Sequence, residues 1–137
     1  MSGRIQGIGR MVLQKDWHIL VVEDEYDSIQ MVSKILRHSG IKVEIAHNGV
    51  ECLQVLETAL PTLIIMDLAL PVMDGWETLE HIRHNPETAK IPIVAITAYH
   101  SFNLEDDALK AGFDAYMPKP LETKELVKHL AHIINGS

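Results

Sequence analysis

Five short apolar runs recur along the chain, HILVV at 18–22, IKVEIA at 41–46, PTLIIMD at 61–67, IPIVAIT at 91–97 and FDAYM at 113–117, separated by longer segments of mixed polarity. Short runs of this kind, bounded by turn formers and nearly continuous in Val, Ile and Leu, predict buried strands of a parallel sheet. IKVEIA alternates instead, as a half-buried edge strand does. The intervening segments carry helical spacing. A helix over 28–38 places Ile29, Val32, Ile35 and Leu36 on one side, and one over 49–59 turns Val50, Leu53, Val55 and Leu56 inward. Further helices are predicted over 76–84, 103–111 and 122–134, the last burying Leu126, Leu130 and Ile133 or Ile134. The fourth has only Leu104, Ala108 and Leu109 to face inward, thin packing of the kind that lets a segment shift. Gly40 and Gly112 close the first and fourth helices, and Asn85 and Pro86 shape a turn over 85–90. Strands alternating with helices in this way predict a three-layer α/β domain over 16–135. Residues 1–15 lack periodicity and read as a flexible N-terminal tail, with a strand-like lead-in at RMVL, 10–13.

Four of the runs end in residues suited to phosphate or divalent-metal chemistry. Glu23 and Asp24 follow the first, Asp67 ends the third, Thr97 ends the fourth and Lys119 follows the fifth. The carboxyl ends of neighbouring strands in an open parallel sheet converge on one crevice, so these residues are expected to meet. Three carboxylates there repel one another unless a cation neutralises them, and oxygen ligands in this number suit a hard ion such as Mg²⁺. Asp67 then becomes a candidate nucleophile toward phosphorus, with the Lys119 ammonium and the Thr97 hydroxyl receiving charge on the phosphoryl oxygens.

Composition narrows the setting. The 137 residues suffice for one domain, and the net charge of −7 comes without any basic cluster, which argues against direct nucleic-acid binding. No apolar stretch approaches the roughly 20 residues a bilayer requires, so no membrane insertion and a cytoplasmic location are expected. The single cysteine, Cys52, excludes an internal disulfide and reads as a semi-buried or exposed thiol with no redox role. The acidic run LEDD at 104–107 reads as a solvated helix start. The eight histidines are scattered, and the pair His81 and His84 has helical spacing without a third soft ligand nearby.

The segments ILVVEDE, IIMDLALPVMDG, VAITAY and AYMPKPL, in this order and each at a strand end, resemble the receiver domain of two-component response regulators over roughly residues 17 to 134. The resemblance is to single-domain, chemotaxis-regulator-like members, and it implies a doubly wound (βα)5, flavodoxin-like fold with strand order 2-1-3-4-5. It implies a switch that accepts a phosphoryl group from phosphohistidine of a sensor histidine kinase or histidine phosphotransfer protein and changes the surface shown to a downstream target protein. Such a domain catalyses its own phosphorylation and dephosphorylation and is not a metabolic enzyme. By this resemblance Asp67 is the phosphoacceptor, and Glu23, Asp24, Asp67 and the backbone carbonyl of Ala69 hold Mg²⁺, or Mn²⁺ in its place. Thr97 and Lys119 bind the phosphoryl group, Ala98 is the small residue that lets the loop close, and Tyr116 is the aromatic that changes rotamer with Thr97. The fourth helix, fifth strand and fifth helix form the output face, a surface for a target or a homodimer, with Tyr99, His100, Lys110 and Tyr116 as contacts. The Lys119–Pro120 peptide bond is expected to be cis.

One feature departs from the commoner pattern, and two positions bear on the lifetime of the phosphoryl group. Glu23 stands where the family usually has aspartate, and its extra methylene changes its reach toward a metal. Ala69 offers no polar side chain to orient an attacking water, whereas Tyr99 is large enough to cover the phosphoryl group, so a comparatively long-lived aspartyl phosphate is expected. Two other functions compete: a binding-only receiver module, and a phosphohydrolase or phosphotransferase with an aspartyl-phosphate intermediate. The short loops leave the latter little chain for a substrate pocket.

Overall fold

Each apolar run of the sequence forms a strand, and the side to which each residue points decides which helices cover it. In the computed structural model, which describes residues 12–136, the elements are β1 (His18–Val22), α1 (Tyr26–His38), β2 (Lys42–Ala46), α2 (Gly49–Leu56), β3 (Leu63–Asp67), α3 (Gly75–His84), β4 (Ile93–Thr97), α4 (Leu104–Ala111), β5 (Ala115–Pro118) and α5 (Leu126–Asn135). The strands make one parallel sheet in the order β2-β1-β3-β4-β5. This is the doubly wound arrangement that the resemblance implies.

Side chains alternate between the faces of the sheet. Ile19, Val21, Leu63, Ile65, Val94 and Ile96 point to the face covered by Val32 and Leu36 of α1 and Leu126 and Leu130 of α5. Leu20, Val22, Ile64, Met66, Ile93 and Ala95 point to the opposite face, under α2, α3 and α4. Burying both faces explains why β1, β3 and β4 are almost continuously apolar, each large side chain contributing about 1.5–3 kcal/mol.

Several local expectations shift. Helix α1 begins at Tyr26, two residues early, because extended Glu25 precedes it and accepts a hydrogen bond from Ser28 Oγ at 2.8 Å. Helix α5 starts at Leu126, because the Glu122 side chain takes the Glu125 N–H at 2.9 Å and holds a turn ahead of the helix. In α2, Leu56 is buried and Leu53 and Val55 pack against the core as expected, joined by buried Gly49 and Cys52, while Val50 is exposed. Asn48 caps this helix by accepting the Glu51 N–H, and Gly49 packs where an added Cβ would lie 1.9 Å from Thr78 Oγ1. That tight approach brings the start of α2 close to α3, and Cys52 is a fully buried thiol, contrary to the expectation of a semi-buried or exposed one. In α4 only Ala108 is buried, and Leu109 is 44% exposed.

At the amino end, Arg10 and Met11 of the lead-in lie outside the described residues. Val12 and Leu13 are not in a strand, and Gln14–Asp16 form a single 3-10 turn. Residues 12–15, within the segment read as a tail, are tied to the domain: the Val12 N–H donates to Asn135 Oδ1 at 2.8 Å, and the Trp17 indole N–H donates to the Val12 carbonyl at 3.0 Å.

Candidate functional site

Strand register brings the chemistry together. Val22 pairs with Met66, so Glu23 and Asp67 leave the sheet side by side. Asp67 pairs with Ile96, and Thr97 with Pro118, so Lys119 leaves the sheet one residue beyond that last pair, at the same edge. Its N–H donates to the Thr97 carbonyl at 2.9 Å, and the Lys119–Pro120 bond is cis.

The Lys119 ammonium donates to Asp67 Oδ2 at 2.9 Å and lies 2.6 Å from Glu23 Oε1. Glu25 Oε1 stands further off, at 3.6 Å. Glu23 is 1% exposed, and its Oε2 accepts the N–H groups of Asp24 and Glu25, each at 3.1 Å. Its Oε1 is an ion-pair partner of Lys119 but has no aligned hydrogen bond among the described residues. Burial pushes the Glu23 carboxyl up to about 7, with Lys119 opposing the rise and Asp67 adding to it. For Lys119, burial favours the neutral amine, but bonding and charge from Glu23 and Asp67 outweigh it and hold the ammonium above its usual range. The buried Asp67 also accepts the Ala69 N–H at Oδ1, 2.9 Å away.

One carboxylate oxygen from each of Glu23, Asp24 and Asp67 can be chosen so that all three lie within 4.8 Å of one another. Glu23 and Asp67 are buried and Asp24 is exposed, so the cluster opens to solvent on one side. An all-oxygen donor set of three neighbouring carboxylates fits a hard divalent cation such as Mg²⁺ or Mn²⁺. Asp24, Asp67, Ala69, Ala98, Tyr99 and Lys119 line the cleft around it, a space of about 330 Å³.

Thr97 is placed differently. It shares pleat parity with Ile93 and Ala95, on the face covered by α4, and is not among the residues lining this cleft. Its Oγ1 accepts the Tyr99 N–H at 3.0 Å. Tyr116 pairs with Ala95 and is half-buried against the same face, so Thr97 and Tyr116 share a side of the sheet. The Tyr116 hydroxyl lies 2.6 Å from His100 Nδ1, and burial, then the charge of Glu105, raise its pKa. Tyr99 is 76% exposed at the rim.

Two contributors escaped the sequence reading. Glu25 supplies an amide to Glu23 and a second-rank carboxylate to Lys119; its place as third acid in VEDE is the available signal. Gly75 is where a Cβ would sit 2.6 Å from the Asp67 carbonyl oxygen. His81 and His84 are exposed beside a groove between α2 and α3 and form no three-ligand cluster among the described residues.

A family model described as the response regulator receiver domain matches residues 19–131. An uncharacterised 14.6 kDa protein of Leptolyngbya boryana is 37% identical over 110 residues, covering 80% of this chain and 84% of its own length. Hybrid signal transduction histidine kinase B of Dictyostelium discoideum is 33% identical across 82% of this chain, which spans 6% of that kinase. Among solved structures, the receiver domain of a Pseudomonas aeruginosa sensor histidine kinase, with a magnesium ion coordinated in its active-site cleft, superposes with a TM-score of 0.78 at 30% identity, covering 88% of this chain and 98% of that one.

Proposed function

The chain belongs to the response regulator receiver domain family of two-component signalling, and on that premise we propose that it is a phosphorylation-dependent switch with Asp67 as its phosphoacceptor. The observation that carries this reading is the position of Asp67, held between the Lys119 ammonium at 2.9 Å and the Ala69 amide at 2.9 Å, beside two further carboxylates.

In the transfer step one Asp67 carboxylate oxygen forms an O–P bond as the P–N bond of a phosphohistidine breaks, and the leaving imidazole takes up a proton. The donor is a sensor histidine kinase or a histidine phosphotransfer protein. Lys119 stabilises charge on the phosphoryl oxygens, and the Thr97 hydroxyl swings toward Asp67 to donate to one of them. Glu23, Asp24, Asp67 and the carbonyl of Ala69 would hold Mg²⁺, or Mn²⁺, which when bound offsets the negative charge on the carboxylates and the phosphoryl group. Ala98 leaves room for the loop to close, and Tyr99 covers the phosphoryl group from the rim.

The phosphoryl group adds about −1.5 to −2 charges, enough to bias a loop with two arrangements. Movement of Thr97 vacates space on the α4 face, and Tyr116 turns into it. The surface of α4, β5 and α5 changes as a result and receives a downstream target or a second copy of the chain. A cytoplasmic setting goes with this reading; among the described residues no helix is long and apolar enough to cross a membrane. A binding-only module is less well supported, since both Asp67 and Lys119 are present and paired.

Intact-mass analysis after incubation with Mg²⁺ and acetyl phosphate tests the proposal. The expected result is one phosphoryl-sized increase in the wild type and none in Asp67→Asn. An increase of equal size in both would assign the phosphoryl group elsewhere and defeat the reading.

A further inference from the structure

One polar pair outside the acidic cleft bears directly on the switch. His100, in the loop between β4 and α4, has Nδ1 2.6 Å from the Tyr116 hydroxyl, and the two rings lie with centroids 5.8 Å apart at 35°. Tyr116 packs its ring on the α4-side core, whereas His100 is exposed. His100 is the only hydrogen-bond partner of that phenol among the described residues. The same short loop is tied to Thr97 by the Tyr99 N–H, which donates to Thr97 Oγ1 at 3.0 Å.

We propose that His100 is a positioning residue for Tyr116, holding the phenol at the surface and opposing its turn toward Thr97. The inference rests on the reading of Thr97 and Tyr116 as the switch pair. A ring that turns inward gives up both the hydrogen bond and the ring contact with His100. One neutral hydrogen bond biases a two-state ratio by roughly two- to twelvefold, so the latch sets how far the unphosphorylated protein populates the active arrangement. Thr97 Oγ1 cannot move toward Asp67 and keep its bond to the Tyr99 N–H unless the loop follows. A single displacement therefore vacates the space beside Thr97 and draws His100 from the phenol. Coupling of this kind is reciprocal, so weakening the latch strengthens binding of whatever favours the active state.

The full chain carrying 3-fluorotyrosine, with the Tyr116 signal assigned by its loss in Tyr116→Phe, allows a test by fluorine NMR. Beryllofluoride with Mg²⁺ serves as the phosphoryl mimic and marks the activated position of that signal. In His100→Ala the signal of the unloaded protein is expected to move part of the way to that position, and beryllofluoride binding to tighten roughly two- to twelvefold. His100→Gln, which keeps a hydrogen-bonding side chain, should return both toward wild type, and in a Tyr116→Phe background His100→Ala should leave binding unchanged. If beryllofluoride moves the wild-type signal while His100→Ala leaves the unloaded signal in place, the latch is overturned and the receiver reading stands. If beryllofluoride does not bind the wild type, the receiver reading fails and takes the latch with it.

Discussion

Lys119 Nζ lies 2.6 Å from Glu23 Oε1, so the ammonium of β5's outgoing loop reaches the carboxylate that follows β1, across the width of two intervening strands. The longer glutamate side chain allows this contact while its other oxygen stays on the amides of Asp24 and Glu25. Lys119 thereby neutralises part of the charge that a divalent cation would otherwise meet.

Lys119→Met removes the cation shared by Glu23 and Asp67. Breaking a buried ion pair on one side costs about 3–5 kcal/mol when the remaining charges stay ionised, and protonation of one carboxylate would reduce that loss. The variant is expected to unfold at lower urea concentration than wild type. Mg²⁺ should raise its midpoint by more than it raises that of the wild type, because the added cation takes over a neutralising role that the ammonium fills in the wild type. Equal Mg²⁺ shifts in the two proteins would show that Lys119 and the metal do not share this role.

The rim of the cleft bears on how long a phosphoryl group would last. Ala69 is exposed and lines the cleft with a methyl group, and Tyr99 lines it with a large ring. Neither aligns a water for attack on phosphorus. Ala69→Asn supplies an amide that can, and the aspartyl phosphate is expected to decay roughly tenfold faster, since orientation of a reacting water is worth at least this much. Decay followed by intact mass after removal of acetyl phosphate measures both proteins. A wild-type half-life of seconds, or no acceleration in Ala69→Asn, would refute the assignment.

The loop behind Asp67 is closed by Gly75, whose N–H donates to the Leu68 carbonyl at 3.0 Å. A Cβ at this position would lie 2.6 Å from the Asp67 carbonyl oxygen and 2.9 Å from the Leu68 Cα, and neither backbone atom can swing aside as a flexible side chain would. Gly75→Ala is therefore expected to destabilise the fold by about 1–3 kcal/mol, as overpacking commonly does, and to slow phosphorylation by displacing Asp67. Urea unfolding and the rate of phosphoryl uptake check the two effects. A variant that is destabilised but phosphorylated at the wild-type rate would separate the loop from the site.

How much of this was legible beforehand follows from physics that differs between elements. The strands could be read because β1, β3 and β4 are covered on both faces and carry little but apolar side chains. The meeting of Glu23, Asp67 and Lys119 followed from parallel strands ending at one edge. The side to which Thr97 points depends on pleat parity, which emerges only when its two-residue relation to Ala95 is set beside Tyr116. In α2, Leu53, Val55 and Leu56 follow the helical spacing, whereas the burial of Cys52 in place of Val50 goes with Gly49 packed against Thr78, a contact between distant segments that periodicity does not encode. In the loop after β3 the glycine is needed for close approach, while the positive φ of 69° falls on Val72, a β-branched residue that no turn rule selects.

Cys52 is fully buried in α2, and burial pushes its thiol up to about 12 from a usual 9.0. The native thiol should resist alkylation until the protein unfolds, because both access and thiolate are lacking. The sign of the pH effect follows from the raised pKa. Between pH 9 and 12 the folded state keeps a proton that the unfolded state releases, so this contribution to stability is complete below pH 9 and is lost progressively as the pH rises toward 12. Wild type is therefore expected to lose stability over this interval more steeply than Cys52→Ala, by up to about 1.4 kcal/mol per pH unit. Urea unfolding of the two proteins between pH 8 and 10.5 gives the difference directly, and parallel slopes would mean that the thiol ionises in the folded protein, through an opening of α2 that the closed packing of Gly49 on Thr78 does not provide.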